Sequence, residues 1–315
     1  MIDILESACN EYDGEAKIEI MQAEMIRFYK ETFETEQQIF NRQYSWRTSR
    51  TFRLRCDQFR EAMYSRENTV GSKVEKYLYS YKDYSDFVEN KKKRSEKMNK
   101  KLYRYRGYLQ AKVGQDYSVL ENEYRSVIGF PELVASPDAR VQIRGSEYVL
   151  IFCDLSEGLE NREYETLEQG LACAADHLPV YGDENELQLK WDSKYLYEAA
   201  GLLQAFPEAV DCKLVLFGIL DTDIKEVIIP RIPIDNIRYE KYPAMRRSIK
   251  SLSDMFIKLR VFYFGALLPE LAFPRKIHGL PLRSKLVDTA VISHTVETCT
   301  GIILDQDQLF CGNKV

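Results

Sequence analysis

The clearest alternation of apolar and polar positions lies between residues 186 and 233. Two apolar runs of strand length, 213–220 and 226–230, flank the turn residues Asp221-Thr222-Asp223. Before them, the apolar residues between 195 and 206 recur at helical spacing. Short aliphatic runs joined by a tight turn are typical of a β-hairpin, and the stretch before them is typical of an amphipathic helix. We therefore expect residues 186–233 to form the centre of a packed fold.

The pattern on both sides of this centre predicts further strands and helices. Proline and small residues at 130–138 indicate a domain boundary. Strands are predicted at 141–144, 147–154, 289–294 and 300–304, and helices at 164–177 and 245–268. The run 147–154 is the longest apolar run in the first half of this domain, as expected of a central strand. The pattern predicts an α+β, or mixed α/β, fold over 130–315, with a mixed sheet flanked by helices.

The N-terminal part has no proline before Pro131 and few glycines, which favours long helices. The turn-forming residues 68–72 would separate a helix over 15–67 from a second helix over 72–128. In the second, apolar and aromatic residues recur every three or four positions: Val74, Tyr77, Tyr81, Tyr84, Val88, Met98, Leu102, Tyr105 and Leu109. A period near 3.5 is typical of a coiled coil. After an N-terminal segment over 1–14, we expect residues 15–129 to form an antiparallel helical hairpin that self-associates.

Composition narrows the class of protein. The chain has 315 residues, of which 45% are hydrophobic, enough for a sizeable core. No apolar run approaches the roughly 20 residues of a membrane span, and the first residues are acidic rather than basic. Seven cysteines without a Cys-x-x-Cys pair, and only three histidines, indicate neither a disulfide framework nor a zinc site. We therefore expect an intracellular protein, cytoplasmic or nuclear, without a transmembrane segment.

The net charge of −5 conceals two basic segments. Residues 42–60 contain six arginines against one acid, and residues 91–106 contain nine basic residues against one acid. A hairpin that turns near Val70 would bring the two segments together in one cationic band. The residues predicted to bind a polyanion are Arg42, Trp46, Arg47, Arg50, Arg53, Arg55, Lys91, Lys92, Lys93, Arg94, Lys97, Lys100, Lys101, Arg104 and Arg106. Arginines interleaved with aromatic rings suit RNA or single-stranded DNA.

Two other interpretations of the band remain open. A cationic helical surface also suits an anionic membrane surface or an acidic protein partner. Alternatively, the charges form a solvated face whose long side chains cover the apolar seam, and bind nothing.

The familiar catalytic motifs are absent from the sequence. There is no glycine-rich phosphate loop, no dinucleotide fingerprint, no Gly-x-Ser-x-Gly elbow and no His-Glu-x-x-His. The histidines 177, 278 and 294 stand apart from one another. The leading hypothesis is therefore a non-enzymatic interaction or scaffold protein that needs no cofactor, and the expected partners are a second copy of the chain and a polyanion.

One pattern resembles the core of the PD-(D/E)XK nuclease superfamily. It consists of an acidic strand end at Asp154, the third-strand motif Gln188-Leu189-Lys190, a helix over 195–206 and a strand over 217–220. The resemblance implies that carboxylates, Asp154 and Glu186 in place of the missing motif acid, hold Mg²⁺ near the scissile phosphate. Lys190 would polarise the attacking water or the phosphoryl oxygen.

This resemblance makes a divergent metal-dependent nuclease, active or inactive, the alternative function. A purely structural interpretation of the same motif is an edge strand, because alternation alone puts Gln188 and Lys190 on its exposed side. A structural assembly subunit is the third possibility, with the helical arm packing on neighbouring copies.

Overall fold

The computed structural model describes residues 14–34, 53–65, 69–80, 84–161, 163–173, 178–181, 187–190, 193–231 and 252–304. Helices and mixed sheets occur together in them, which confirms the predicted mixed α+β class. The chain divides into two compact units. Unit 1 contains the described residues within 1–54, 61–82 and 256–315, and unit 2 those within 55–60 and 83–255.

The elements follow one another along both units. The helices are α1 (Gly14–Glu34), α2 (Phe59–Met63), α3 (Val70–Leu78), α4 (Tyr84–Val113), α5 (Ser156–Glu160), α6 (Leu167–Cys173), α7 (Lys194–Ala205), α8 (Leu252–Phe262), α9 (Leu268–Ala272) and α10 (Thr289–Thr300). The strands are β1 (Leu54–Arg55), β2 (Tyr117–Leu120), β3 (Arg125–Val127), β4 (Phe130–Ala135), β5 (Ala139–Ile143), β6 (Ser146–Asp154), β7 (Val180–Tyr181), β8 (Gln188–Leu189), β9 (Ala209–Phe217) and β10 (Ile224–Pro230).

Unit 2 is built on a five-stranded sheet in the order β10-β9-β6-β5-β2. Strand β6 lies at its centre, as the long apolar run predicted. It pairs antiparallel with β5 and parallel with β9, while β2 and β10 pair antiparallel with β5 and β9. A parallel pair needs a long crossover connection. The crossover from β6 to β9 contains α7, which packs on both strands.

Helix α4 packs on this sheet through an apolar stripe. Tyr105 and Leu109 are almost fully buried against residues of β5, β6 and β9, among them Val141, Phe152 and Val215. The alternate residues of β6 are buried too, so helices cover both faces of the sheet. The Tyr105 hydroxyl also donates to Glu226 of β10 at 2.5 Å. The C-terminal half of α4 is thus anchored to the sheet.

Smaller elements complete unit 2. Strands β3 and β4 form a hairpin, and β1 adds to it in the order β1-β4-β3. Strands β7 and β8 form a separate antiparallel pair. Arg140 on β5 pairs with Glu123, Glu147 and Glu208, which ties the chain between β2 and β3 to the sheet and to the turn before β9.

Unit 1 is helical. Helix α8 continues through a π-helical segment, Tyr263–Leu267, into α9, which confirms the prediction that this helix extends beyond residue 260. Tyr29 of α1 stacks at 5.3 Å, centroid to centroid, on Phe264 of that segment. The buried Glu270 accepts hydrogen bonds from the Tyr79 hydroxyl and the Lys276 amide. No helix in the described ranges combines the length and apolarity that crossing a membrane requires.

The described residues do not support the predicted helical hairpin. Residues 54–55 form a strand, and the helix predicted over 72–128 ends at Leu78, resumes as α4 and gives way to β2 and β3. The residues 35–52, on which much of the first helix depended, lie outside the described residues. Helix α4 does have the apolar stripe that was interpreted as a coiled-coil seam, but the stripe packs on the sheet of unit 2. The predicted domain boundary near residue 130 stays a prediction.

The prediction of strands at 289–294 and 300–304 is wrong, because α10 occupies residues 289–300 and no strand follows among the described residues. Asp288 caps α10 by accepting from the Ala290 amide, and Gly301 ends it with φ at 70°. The predicted hairpin at 221–223 and the helix after residue 194 are confirmed as β9–β10 and α7.

A close helix contact gives a test of the packing in unit 2. A Cβ atom on Gly201 of α7 would lie 2.6 Å from a ring carbon of Phe59 and 3.0 Å from the Cβ of Cys56. Gly201→Ala should therefore lower the free energy of unfolding, by about 1–3 kcal/mol, as overpacking does. Urea denaturation measures the change.

Gly107→Ala on α4 is the matched control. Nothing lies within 4 Å of its added Cβ, so removal of a helix-interior glycine should stabilise the protein by roughly 0.5–1 kcal/mol. Equal effects of the two substitutions would contradict the close contact.

Candidate functional site

Unit 2 contains a cavity of about 590 Å³ lined mainly by charged side chains, the polar cavity. Its walls come from α4, from α7, from the sheet near Asp138 and Phe152, and from Asp57. Five basic and four acidic side chains line it. The volume falls within the range of about 300–1,000 Å³ that small-molecule sites occupy.

The α4 wall is one face of a helix. Asn90, Arg94, Lys97 and Lys101 follow one another at spacings of four, three and four residues, which places them on a single stripe. The same stripe continues to Tyr105, the residue buried on the sheet. One stripe of α4 thus changes from cationic to apolar near Lys101. Its apolar half fixes the position of its cationic half.

The α7 wall comes from the first two turns of that helix. Lys194, Tyr195 and Glu198 all line the polar cavity. The Tyr195 hydroxyl donates to Cys153 Sγ at 3.2 Å, which fixes the tyrosine against β6. Ser193, at the N-cap, makes no side-chain capping bond. Lys194 therefore adds a positive charge at the helix end whose dipole is already positive, an arrangement that favours an anion nearby.

The floor carries the carboxyl groups of Asp138 and Asp57, and Glu198 at the lower edge of the α7 wall interacts with both. Asp138 directly precedes β5 and lies beside the C-terminal half of β6, where its Oδ2 accepts from the Phe152 amide at 2.7 Å. Asp57 is held by the Arg55 guanidinium, with Nε donating to Oδ1 at 2.9 Å. Each of these two acids therefore has a hydrogen-bond partner within the protein.

Glu198 differs from both, because it has no hydrogen bond or ion pair with any residue in the described part of the chain. Burial, followed by the nearby charges of Asp138 and Asp57, raises the pKa of Glu198 to about 8. Burial also raises the pKa of Asp138, against the opposing effects of the Phe152 amide, Arg94 and Lys101. Glu198 is thus mostly a neutral carboxylic acid at neutral pH.

The cations of the polar cavity divide into paired and unpaired groups. Lys93 pairs with Glu89 at 2.5 Å, and Lys101 lies 3.4 Å from Asp154. Arg94, Lys97 and Lys194 form no ion pair with a described residue. Three cations from two helices, none with an ion pair to a described residue, thus face one space.

The structure brings together only part of the predicted cationic band. Arg42, Trp46, Arg47 and Arg50 lie outside the described residues, as does the side chain of Lys91. The predicted merging of the two basic segments therefore stays a prediction. Lys93, Arg94, Lys97 and Lys101 line the polar cavity, while Lys92, Lys100 and Arg106 are exposed elsewhere on α4.

Three of the predicted arginines are engaged within the protein. Arg53 is buried, and Arg55 is bound to Asp57. Arg104 donates to the Gly218 carbonyl at 3.1 Å, pairs with Asp221 at 3.2 Å and lies over the Phe217 ring. It stabilises the β9–β10 turn.

The residues of the nuclease alternative are not brought together by the sheet. Asp154 ends β6 and accepts from the Ser156 hydroxyl at 2.6 Å. Gln188 lies on β8, which pairs with β7 instead of joining the five-stranded sheet, and it accepts from the Tyr181 hydroxyl. Lys190 follows β8, and Glu186 lies outside the described residues.

The sequence analysis missed the residues at the centre of the polar cavity. The pair Pro137-Asp138 immediately before a predicted strand was interpreted only as a domain boundary. Lys194 and Glu198, four residues apart at the start of α7, were not singled out in the sequence. The first of these signals was visible in the sequence, but the approach of α7 to Asp138 depends on the crossover between β6 and β9.

Comparison of the chain with protein-family models, curated proteins and solved structures found no match in any of the three. The functional argument therefore depends on the chemistry of the polar cavity.

The raised pKa of Glu198 predicts a pH-dependent stability. Between its ordinary value of 4.5 and about 8, the folded protein keeps a proton that the unfolded chain releases, so stability falls as the pH rises through this window. At pH 9, Glu198→Gln should raise the free energy of unfolding by roughly 2–4 kcal/mol over the native protein, and at pH 5 by almost nothing. Denaturant unfolding at the two pH values measures this difference.

Glu96→Gln is the control, because Glu96 also lines the polar cavity but is exposed. Its effect should stay within about 0.5 kcal/mol at both pH values. A gain for Glu198→Gln that does not change with pH would contradict the assignment.

Proposed function

We propose that unit 2 binds nucleic acid through the polar cavity, with the cations of α4 and α7 holding the phosphate groups. The observation that supports this proposal is the convergence of Arg94, Lys97 and Lys194 on one space without an ion-pair partner among the described residues. Arginine and lysine side chains supply most of the affinity of proteins for nucleic acids, through the phosphate backbone.

Electrostatics favours an anionic ligand at this position. Arg94 and Lys97 lie three residues apart on the same helix face, where like charges repel. Lys194 adds a third positive charge at the positive end of the α7 dipole. An anion in the polar cavity offsets both repulsions at once. Bound phosphate should therefore stabilise the fold as well as occupy the space.

The surroundings of the polar cavity favour a polymer over a small anion. Helix α4 has 30 residues, a length of about 45 Å, and carries the exposed cations Lys92, Lys100 and Arg106 outside the cavity. Tyr103, between them, is 79% exposed, which leaves its ring available for stacking with a base. A strand with one phosphate per nucleotide matches such an extended cationic surface, and unpaired bases match the aromatic ring.

The nuclease alternative implies that Asp154 and Glu186 hold Mg²⁺, and it stays a prediction because Glu186 lies outside the described residues. In the described part of the chain, no three histidine, cysteine, aspartate or glutamate side chains are grouped to hold a metal ion. At the floor of the polar cavity, one oxygen of Asp138 is taken by the Phe152 amide, and Glu198 is mostly neutral.

The assembly alternative depends on self-association of the predicted arm. Residues 35–52 of that arm lie outside the described residues, so a homo-oligomer stays a prediction. An assembly subunit of this kind would be indifferent to polyanions, which the binding experiment distinguishes.

The proposal predicts that the cations of the polar cavity dominate binding. The triple variant Arg94→Gln, Lys97→Gln and Lys194→Gln should bind a single-stranded oligonucleotide at least about tenfold more weakly than the native protein, because three phosphate contacts are lost. The slope of log affinity against log salt should become shallower by about 2, at roughly 0.7 per contact. Fluorescence anisotropy across a salt series, with EDTA present, measures both.

The matched control is Lys92→Gln, Lys100→Gln and Arg106→Gln, which removes the same charge from exposed positions of α4 outside the polar cavity. It should weaken binding too, because these cations lie on the extended surface of α4, but less than the cavity variant does, because the cations of the cavity variant converge on one space. Equal losses for the two triple variants would reject the cavity as the site, and no binding by the native protein at low salt would reject the proposed function. Shortening of the oligonucleotide only when Mg²⁺ replaces EDTA would establish the nuclease instead.

A further inference from the structure

The floor of the polar cavity has an acid where a phosphate-binding site would ordinarily have a cation. Glu198 lies on α7 one turn after Lys194, and both side chains line the same space. An ionised carboxylate there would repel a phosphate group held by Lys194. A carboxylic acid would not, because its O–H donates a hydrogen bond to an anionic oxygen.

The protonation state of Glu198 therefore decides what the polar cavity can accept. With all four carboxyl groups ionised, the five cations leave a net charge of only +1 on its lining. A proton on Glu198 raises this net charge to +2 and converts this acid, which has no hydrogen bond or ion pair with a described residue, into a donor.

We propose that the polar cavity receives one phosphate group of the bound strand and that Glu198 donates a hydrogen bond to it from a protonated carboxyl group. This inference rests on the proposed function, because it assigns the contact that a phosphate makes at the floor while Arg94, Lys97 and Lys194 hold it from the walls. Binding at alkaline pH then takes up one proton, which makes the affinity pH-dependent.

Every element packed around Glu198 contributes a charged or titratable group to this balance. Asp138 before β5 and Asp57 favour the protonated form, and Lys194 and Arg94 oppose it. Three further groups interact with Glu198: the hydroxyl of Tyr195 and the thiols of Cys56 and Cys212. Burial raises the pKa of each of these three groups, so they stay neutral between pH 7 and pH 9. Glu198, with a pKa raised to about 8, titrates within this window.

A divalent cation would show the opposite pH dependence. A metal ion at the floor would bind more tightly as Glu198 loses its proton, because metal ligands act in their deprotonated form. A phosphate group binds more tightly as Glu198 gains one. The direction of the pH effect therefore distinguishes the two kinds of site without any measurement of catalysis.

The test measures binding of a 5′-hydroxyl single-stranded oligonucleotide at pH 7 and pH 9, at constant ionic strength with EDTA. Its phosphodiesters keep one negative charge each across this range. The native protein should lose about tenfold in affinity between the two pH values, as expected for a site that requires the protonated form of an acid with a pKa of about 8. Calorimetry in two buffers of different ionisation enthalpy should show uptake of about one proton at pH 9.

Two variants isolate Glu198. Glu198→Gln keeps a neutral donor at the floor, so it should bind equally well at both pH values and about tenfold more tightly than the native protein at pH 9. Glu96→Gln removes the same charge from an exposed position of the same lining and should keep the native pH dependence. Both variants are also expected to fold, since neither loses a hydrogen bond or an ion pair with a described residue.

Three results would overturn the inference while leaving the proposed function intact. They are a native affinity that does not change with pH, a pH dependence that survives in Glu198→Gln, and binding that Mg²⁺ strengthens more at pH 9 than at pH 7. In each case the loss in the Arg94, Lys97 and Lys194 variant would still establish binding through the cavity. Failure of the native protein to bind would reject both proposals together.

A further arm identifies the source of the phosphate. The same oligonucleotide with a 5′-phosphate, compared at pH 7, should bind with unchanged affinity if the cavity holds a backbone diester. Tighter binding of the phosphorylated strand that is kept in Glu198→Gln and disappears in the triple variant assigns the cavity to the strand end.

Discussion

The packing of the C-terminal half of α4 on the five-stranded sheet determines the position of the cationic wall of the polar cavity. Tyr105 and Leu109 are buried on β5, β6 and β9, and the Tyr105 hydroxyl is bound to Glu226. Because an α-helix is rigid over this length, anchoring these two positions also fixes the cations one to three turns earlier. Side chains that would otherwise be scattered by electrostatic repulsion are thereby held on one stripe. The apolar contacts of α4 are the structural support of its charged half.

The second wall depends on a different constraint, the parallel pairing of β6 with β9. A parallel pair cannot be joined by a short turn, so the chain makes a long crossover that includes α7. The close approach at Gly201 sets α7 against Phe59 and Cys56. As a result, the first two turns of α7 lie near Asp138, although the two are more than fifty residues apart in sequence. Neither wall would form a site without the other, because the unpaired cations come from both.

Local patterns in the sequence predicted the helices and strands better than they predicted which elements pack together. The period of α4 was visible, but an apolar stripe of this kind does not say whether a second helix or a sheet will cover it. The stripe therefore indicated a coiled-coil hairpin, whereas Tyr105 packs on β-strands. The prediction of strands at 289–294 and 300–304 was wrong for a different reason. Their β-branched residues outweighed two helix signals, Asp288 as N-cap and Gly301 as C-terminal glycine.

The candidate site was predictable only in part, for the same physical reason. The excess of basic residues at 91–106 was a property of the sequence, and four of its members line the polar cavity. The sequence did not show which basic residues are engaged within the protein. Arg104 is engaged by the β9–β10 turn, and Arg55 by Asp57. The role of Glu198 was still harder to predict from the sequence. Its significance comes from burial beside Asp138, and burial is a tertiary property.

The residues that break local rules in unit 2 converge on the polar cavity. A lysine in the first turn of α7 opposes the helix dipole, and Glu198 places a carboxyl group among other acids without an ion-pair partner among the described residues. Each arrangement costs stability by itself. Such costs are expected at functional sites, where a ligand or a proton compensates for them. A phosphate group would compensate for the cations and a proton for the acid. The two compensations are coupled, because the proton that neutralises Glu198 is also the one that allows the phosphate to approach it.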